Sequence, residues 1–251
     1  MIKNISCVMI AHNAQETLPL VLKSLQEFEE VVIYSNNSSD ETENIASSFS
    51  NVTLVVGKFL GFGPTKNRAV SLAKNDWVLS LDADEVLSVD FINNLKNIHL
   101  DDRNVYTIDR VNYYKEREIK HCWGNDIIVR LFNREKTSFT DKKVHEKISD
   151  EDFNKVPLKG VVKHYPYSNV TDFIIKLDRY STIYAQDNAG KKSSSPTKAF
   201  LNSLFSFIKT YFFKRGFLDG YAGLIIAFSH MATNFYKYIK LYEKNLELKK
   251  N

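Results

Sequence analysis

The sequence predicts an α/β fold, a mostly parallel sheet with flanking helices, followed by a helical extension. Three observations predict it. Apolar runs of strand length alternate with segments of helical period from Ile5 to Leu81, as parallel βαβ units do. Three carboxylates appear within four residues, Asp82-Ala83-Asp84-Glu85, immediately after the last of these runs. From residue 169 onward the strand-length runs give way to long, aromatic-rich helical stretches, so we expect a first domain over 1–168 and a helical extension over 169–251.

Taken in order, Ile5 to Ile10 is the first strand and leads into Ala11-His12-Asn13-Ala14. Thr17 to Phe28 has Leu18, Val21, Leu22 and Leu25 at helical spacing. Glu30 to Tyr34 is a second strand, closed by the polar loop Ser35-Asn36-Asn37-Ser38-Ser39-Asp40. Ser39 or Asp40 is placed to cap a helix from Glu41 to Phe49. Val52 to Val56 is a third strand. Gly61-Phe62-Gly63-Pro64 reads as a mobile loop before a helix from Thr65 to Ala73. Trp77 to Leu81 closes the series, and Val89 to Ile98 is the next helix. Ligands of such sheets bind beyond the carboxyl ends of the strands. The polar segments after strands one, two and four are therefore expected to meet in one crevice.

Asp82 and Asp84 lie two residues apart, which in extended backbone puts both side chains on one side. Like charges held together at the end of a buried strand call for a cation between them, and a hard divalent ion with oxygen ligands suits. The plain alternative is a solvated acidic turn that opens the following helix.

Composition narrows the partners. The chain has 251 residues and a formal net charge of +4, with the basic excess late in the sequence. That disfavours nucleic acid and permits an anionic ligand or surface. Cys7 and Cys122 stand far apart, in no metal-ligand or redox spacing, which suits a reduced cytosolic compartment. Met1-Ile2-Lys3-Asn4-Ile5 runs into a strand without a signal-peptide core, and no apolar stretch has the length of a membrane span.

The ordered set Ala11-His12-Asn13, Asn37-Ser38-Ser39-Asp40-Glu41-Thr42, Lys66-Asn67-Arg68-Ala69 and Asp82-Ala83-Asp84-Glu85 resembles the nucleotide-sugar half of family 2 glycosyltransferases. The resemblance continues through Trp123-Gly124-Asn125-Asp126, Arg130-Leu131-Phe132-Asn133-Arg134, Val144-His145-Glu146 and His164-Tyr165 to Gly216-Phe217-Leu218-Asp219-Gly220. This longer set resembles the bacterial branch that adds glucose to the inner core of lipopolysaccharide. The resemblance implies a GT-A (Rossmann-like) fold, a nucleotide-diphosphate sugar donor (UDP-glucose in that branch), a divalent metal (Mg²⁺ or Mn²⁺) and inversion at the anomeric carbon. It implies donor contacts at Ala11, Asn13, Asn36, Lys66, Arg68 and Asp82, and metal contacts at Asp82 and Asp84. The family usually carries an acidic residue at the end of the second strand; here Ser35-Asn36 stands there, and the Asn36 amide both donates and accepts.

Transfer to a hydroxyl needs a base within hydrogen-bond reach. Glu146 is the first candidate and Asp126 the second, each with salt bridging to a nearby base as its plain alternative. His164 either holds local structure or completes the metal site, as a late histidine often does in GT-A enzymes. Two rivals to the transferase remain at this point: a sugar-nucleotide-binding partner subunit without turnover, and a nucleotidyltransferase. The latter would usually show a glycine-rich loop with a basic residue where this chain has His12-Asn13-Ala14.

In the extension, helices are expected over Val170–Ala185, over a segment from Phe200 to Phe213, and over Tyr221–Tyr242. Their aromatic faces have basic edges at Lys209, Lys214, Arg215, Lys237 and Lys240. Three readings stand: core, a homo-oligomer contact, or an anionic bilayer surface. With a lipid-linked saccharide as acceptor, the expected location is cytoplasmic and peripheral, on the cytoplasmic face of the inner membrane.

Overall fold

Apolar residues alternating with a period of two supply the sheet with a core on each face. The computed structural model describes residues 1–124, 126–141 and 146–250. The chain divides into two units, Met1–Val111 with Asn125–Tyr165, and Asn112–Gly124 with Pro166–Asn251.

In the first unit, strands β1 (Ile5–Ala11), β2 (Val31–Ser35), β3 (Val52–Val56) and β4 (Trp77–Ser80) pair in parallel in the order β3-β2-β1-β4. Helices α1 (Leu18–Ser24), α2 (Thr42–Ser47) and α3 (Phe62–Val70) connect them. Along β1, Ile5, Cys7, Met9 and Ala11 face a core shared with Leu18, Val21 and Leu22 of α1. Val8 and Ile10 face the opposite core, with Ala69 and Val70 of α3. Every residue of β1 and β2 is buried, the signature of strands covered on both sides.

The sheet continues beyond β4 with strands absent from the sequence reading. After β5 (Glu85–Leu87) and α4 (Val89–Lys96) come β6 (Asn104–Tyr114), β7 (Arg117–Glu118), β8 (Asp126–Asn133) and β9 (Asn154–His164). β8 pairs antiparallel with β4 and with β6, and β5 pairs antiparallel with β9. The full order is β3-β2-β1-β4-β8-β6-β9-β5. The sheet is thus mixed, its first four strands parallel, consistent with a GT-A-like architecture.

One loop expectation is corrected. α3 already starts at Phe62, so Gly63 and Pro64 lie in its first turn, where a missing N–H costs nothing. Gly61 takes φ 103°, a conformation open to glycine, and turns the chain into the helix.

The second unit holds the helical extension and residues 112–124. α5 (Val170–Asn188) opens with a reciprocal cap between Asn169 and Asp172. α6 (Pro196–Ile208) runs into a five-residue π turn, Lys209–Phe213, and a short 3₁₀ turn, Gly216–Asp219, leads into α7 (Gly220–Lys250). Tyr167 and Phe173 stack at 3.8 Å between centroids, with Trp123 against both, so Trp123 packs as core. The buried Asp219 carboxylate accepts the backbone N–H groups of Lys120, His121 and Cys122 at 2.9–3.2 Å. Gly220 has φ 63°, and a Cβ there would lie 2.7 Å from Arg117 Nη1. The Gly216–Gly220 segment therefore anchors 120–122 within this unit. Burial, then the neighbouring Asp219, push the Cys122 thiol up to about 12. Among the described residues no helix is long and apolar enough to cross a membrane.

Candidate active site

Two loops close the parallel half of the sheet. Ala11, the last residue of β1, accepts the Asn36 N–H on its carbonyl at 2.8 Å. Asn13, at φ 49°, accepts the Ser39 N–H on Oδ1 at 2.8 Å. Asp40 accepts from Gln15 N–H at 3.2 Å and from Thr42 N–H at 3.0 Å, and so pins the second loop to the first. Ser35 donates its hydroxyl to Glu43 Oε1 at 2.7 Å, so a carboxylate from α2 meets the strand end where the sequence has none. Asn36 Oδ1 is buried and has no protein partner among the described residues.

At the end of β4 the backbone turns instead of staying extended. Glu85 N–H donates to the Asp82 carbonyl at 3.0 Å, and Asp82 N–H donates to Glu85 Oε2 at 2.9 Å. The turn sends the two aspartates to different partners. Asp82 Oδ1 meets Lys66 Nζ at 3.0 Å and its Oδ2 meets Arg130 Nη2 at 2.5 Å. Asp84 Oδ2 lies 3.6 Å from His164 Nε2, where the Tyr165 N–H donates to the Asp84 carbonyl at 2.9 Å and holds the two segments together.

Lys66 extends the cluster. Its ammonium, buried on α3, also meets Glu146 Oε1 at 2.9 Å and so ties Glu146 to Asp82. Arg130 holds the fully buried Glu85 at 2.7 Å, and Arg110 holds it at 3.1 Å while reaching Asp126 at 2.8 Å. Burial alone would raise the Asp82 pKa. Arg130 and Lys66 outweigh it and hold the carboxyl far below the usual carboxylate range. Burial likewise works against the Arg130 charge, which Asp82 and Glu85 more than restore.

A cavity of about 430 Å³ opens here, lined by Lys66, Asp82, Arg110, Arg130, Phe139 and Glu146 among others. Asp126 is not on its wall; it is half exposed and tied to Arg110. Arg68, two residues beyond Lys66, is exposed on α3. Asn125, Val144 and His145 lie outside the described residues.

Among the described residues, no three His, Cys, Asp or Glu side chains are gathered to hold a metal ion. Asp84 and His164 supply two donors of suitable kind, and small divalent ions commonly take one or two protein ligands and complete their shell with substrate phosphates and water. That pair fits such an ion. Asp82, with both oxygens on cations, does not fit as a ligand in this arrangement.

Sequence reasoning passed over Arg110 and Glu85 as site residues and treated Arg130 only as a salt-bridge partner. A signal was present. Arg130 is the single charge in Ile127-Ile128-Val129-Arg130-Leu131-Phe132, and a lone charge inside an apolar strand requires a buried counter-ion.

Residues 6–153 match the family Glycosyl transferase family 2. Uncharacterised glycosyltransferases of Rickettsia typhi and Rickettsia prowazekii are each 28% identical to this chain, over 98% of its length and 89% of theirs. Among solved structures, S. aureus TarS (residues 1–349) aligns over 98% of this chain and 90% of that chain, at 16% identity and a TM-score of 0.48.

Proposed function

The chain belongs to glycosyl transferase family 2, and we propose that it moves a hexose, glucose from UDP-glucose, onto a lipid-linked bacterial saccharide with inversion. The observation that carries this reading is the cavity in which Lys66 joins Asp82 to Glu146, beside the Asp84–His164 pair. The acceptor, the lipopolysaccharide core, rests on the ordered motifs from Trp123 to Gly220.

Glu146 is the base. It takes the proton from the acceptor hydroxyl as that oxygen bonds to the anomeric carbon. The bond from that carbon to the diphosphate breaks on the opposite side, and its electron pair leaves with UDP. Glu146 is preferred over Asp126 because it lines the cavity. A divalent ion held by Asp84 and His164 would offset charge on the departing diphosphate. The protein's own charges support that need: Lys66, Arg110 and Arg130 face four carboxylates, Asp82, Glu85, Asp126 and Glu146. The cluster thus has no positive charge to spare for a diphosphate, and the two further lysines on the cavity wall, Lys147 and Lys155, pair with Asp150 and Glu151. Asn36, with its unpaired Oδ1, and Ala11 and Asn13 beside it, are assigned to the nucleotide; Arg68 is assigned to the outer edge of the donor.

The test is transfer by purified protein, with a panel of UDP-sugars, Mn²⁺ or Mg²⁺ and extracted core saccharide. Hexose addition from UDP-glucose is expected. Folded protein that binds UDP with metal yet transfers from no donor would favour the partner-subunit reading.

A further inference from the structure

The second unit leaves a large apolar surface uncovered. Phe212 is 54% exposed, Phe213 72%, Phe217 47% and Phe228 50%. Phe212, Phe217 and Phe228 belong to one cluster, and Phe213 follows Phe212 directly in the chain. Phe207 lies 5.0 Å from Phe228 and 5.4 Å from Tyr211, and Tyr211 lies 5.2 Å from Phe212 and 6.3 Å from Phe217, centroid to centroid. One continuous aromatic patch therefore spans the end of α6, the π turn and the start of α7. Contiguous exposed apolar area of this kind marks an interaction surface.

The charge around it selects the partner. Residues 191–242 contain eight Lys and Arg, of which Lys240 pairs with Asp178 and Lys209, Lys214 and Arg215 lie at the patch, and a single acidic residue, Asp219. Asp219 is buried and fully engaged with the backbone of 120–122. Lys209, Lys214 and Arg215 are exposed beside the phenylalanines. Arg215 also holds a left-handed backbone, φ 55°, at a corner where glycine is the usual residue. A long cation is thus kept at the exposed tip against local preference.

We propose that this surface docks on an anionic lipid bilayer, with the phenylalanines at the acyl boundary and Lys214 and Arg215 at the headgroup phosphates. A second copy fits poorly. An isologous contact would bring basic side chains together, with no exposed acidic side chain in the stretch to pair them. Nucleic acid fits poorly too, since exposed Leu201, Leu204 and Leu218 add aliphatic area on which bases do not stack. The docking surface stands on the second unit alone and holds whatever the first unit transfers.

The experiment is co-sedimentation of the full chain, without donor, on phosphatidylglycerol and on phosphatidylcholine vesicles. Binding is expected on the anionic vesicles at low salt, with release at about 0.5 M salt as screening sets in. Lys214→Glu with Arg215→Glu should lower the partition coefficient by at least about 30-fold, since each basic residue at such a surface contributes about fivefold. Phe213→Trp should fluoresce with a blue shift on these vesicles and be quenched by brominated acyl chains. UDP binding by both variants serves as the folding control. Equal binding to both vesicle types, or no quenching of Phe213→Trp, overturns the proposal. So does a stable dimer in solution that loses its partner in the charge-reversed variant and binds no vesicle.

Discussion

The turn that ends the parallel strands and the antiparallel strands beyond it bring carboxylates and arginines to the same place. The parallel strands end in the turn after β4, which carries Asp82 and Asp84 and leads into Glu85 of β5, with no cation in the turn itself. The antiparallel half supplies Arg110 from β6 and Arg130 from β8, and β9 supplies His164. Arg130 joins the two at this seam: without it, Asp82 in the turn would lose a partner and the buried Glu85 would lose its nearest cation inside the protein. The antiparallel strands are thus more than sheet filler, because they make an acidic turn at the end of a buried strand affordable.

The largest effect should come from separating the chemistry held by each side. Asp84→Ala removes one of the two donors proposed for the ion, so metal-dependent UDP binding and transfer should disappear together. Calorimetry and product formation on the same preparation check this. Glu146→Gln should keep donor binding nearly intact while turnover falls by roughly 10² to 10⁴, the scale of a lost general base. If Glu146→Gln turns over normally and Asp126→Asn does not, the base is Asp126.

A smaller but more direct test breaks the charge pairing between the halves. Arg130→Met leaves Asp82 and Glu85 without their shared partner and should cost about 3–5 kcal/mol of folding stability, as removal of one member of a buried pair does. Arg110→Met should cost clearly less, because Glu85 keeps Arg130 and the half-exposed Asp126 regains water. Urea unfolding of the two variants ranks them. Equal losses would mean that the seam does not depend on Arg130 in particular.

The same contrast explains what could be read in the sequence. β1, β2 and β4 are short apolar runs buried on both faces, so their hydrophobicity alone announced them, and with them the crevice and its carboxylates. β9 carries Lys155, Lys159 and Lys163 between apolar residues and is largely exposed along one side, which hides it from a search for apolar runs. β6 contains Asn112 and Arg110, polar residues that bury only because distant partners meet them. Helix ends were similarly obscured. Gly61-Phe62-Gly63-Pro64 has loop composition, yet proline and glycine are both tolerated in the first turn that begins at Phe62. The turn at Asp82–Glu85 was hidden for another reason: it is set by Glu85 reaching back to the Asp82 N–H, a contact that spacing does not encode.

The smallest expected effect concerns pH and sharpens the contrast between this seam and the surface. Asp82 has a folded pKa far below its unfolded value because Arg130 and Lys66 outweigh the cost of burial. A carboxyl lowered in this way contributes stability that is complete above its unfolded pKa, about 3.9, and that is lost as pH falls toward the folded value. The difference in unfolding free energy between the wild-type protein and Asp82→Asn should therefore stay constant from about pH 5 to 8 and narrow only below about pH 4. Salt should scarcely alter that difference, since the Lys66 and Arg130 side chains are each 7% exposed. Asp101, also lowered, by hydrogen bonds and charge from Arg103, provides the control on the surface, where Arg103 is open to water and its pairing should weaken with salt. A difference for Asp82→Asn that already shrinks between pH 5 and 7 would show a carboxyl titrating in that range. Asp82 would then not be the fixed anion that joins the two halves of the sheet.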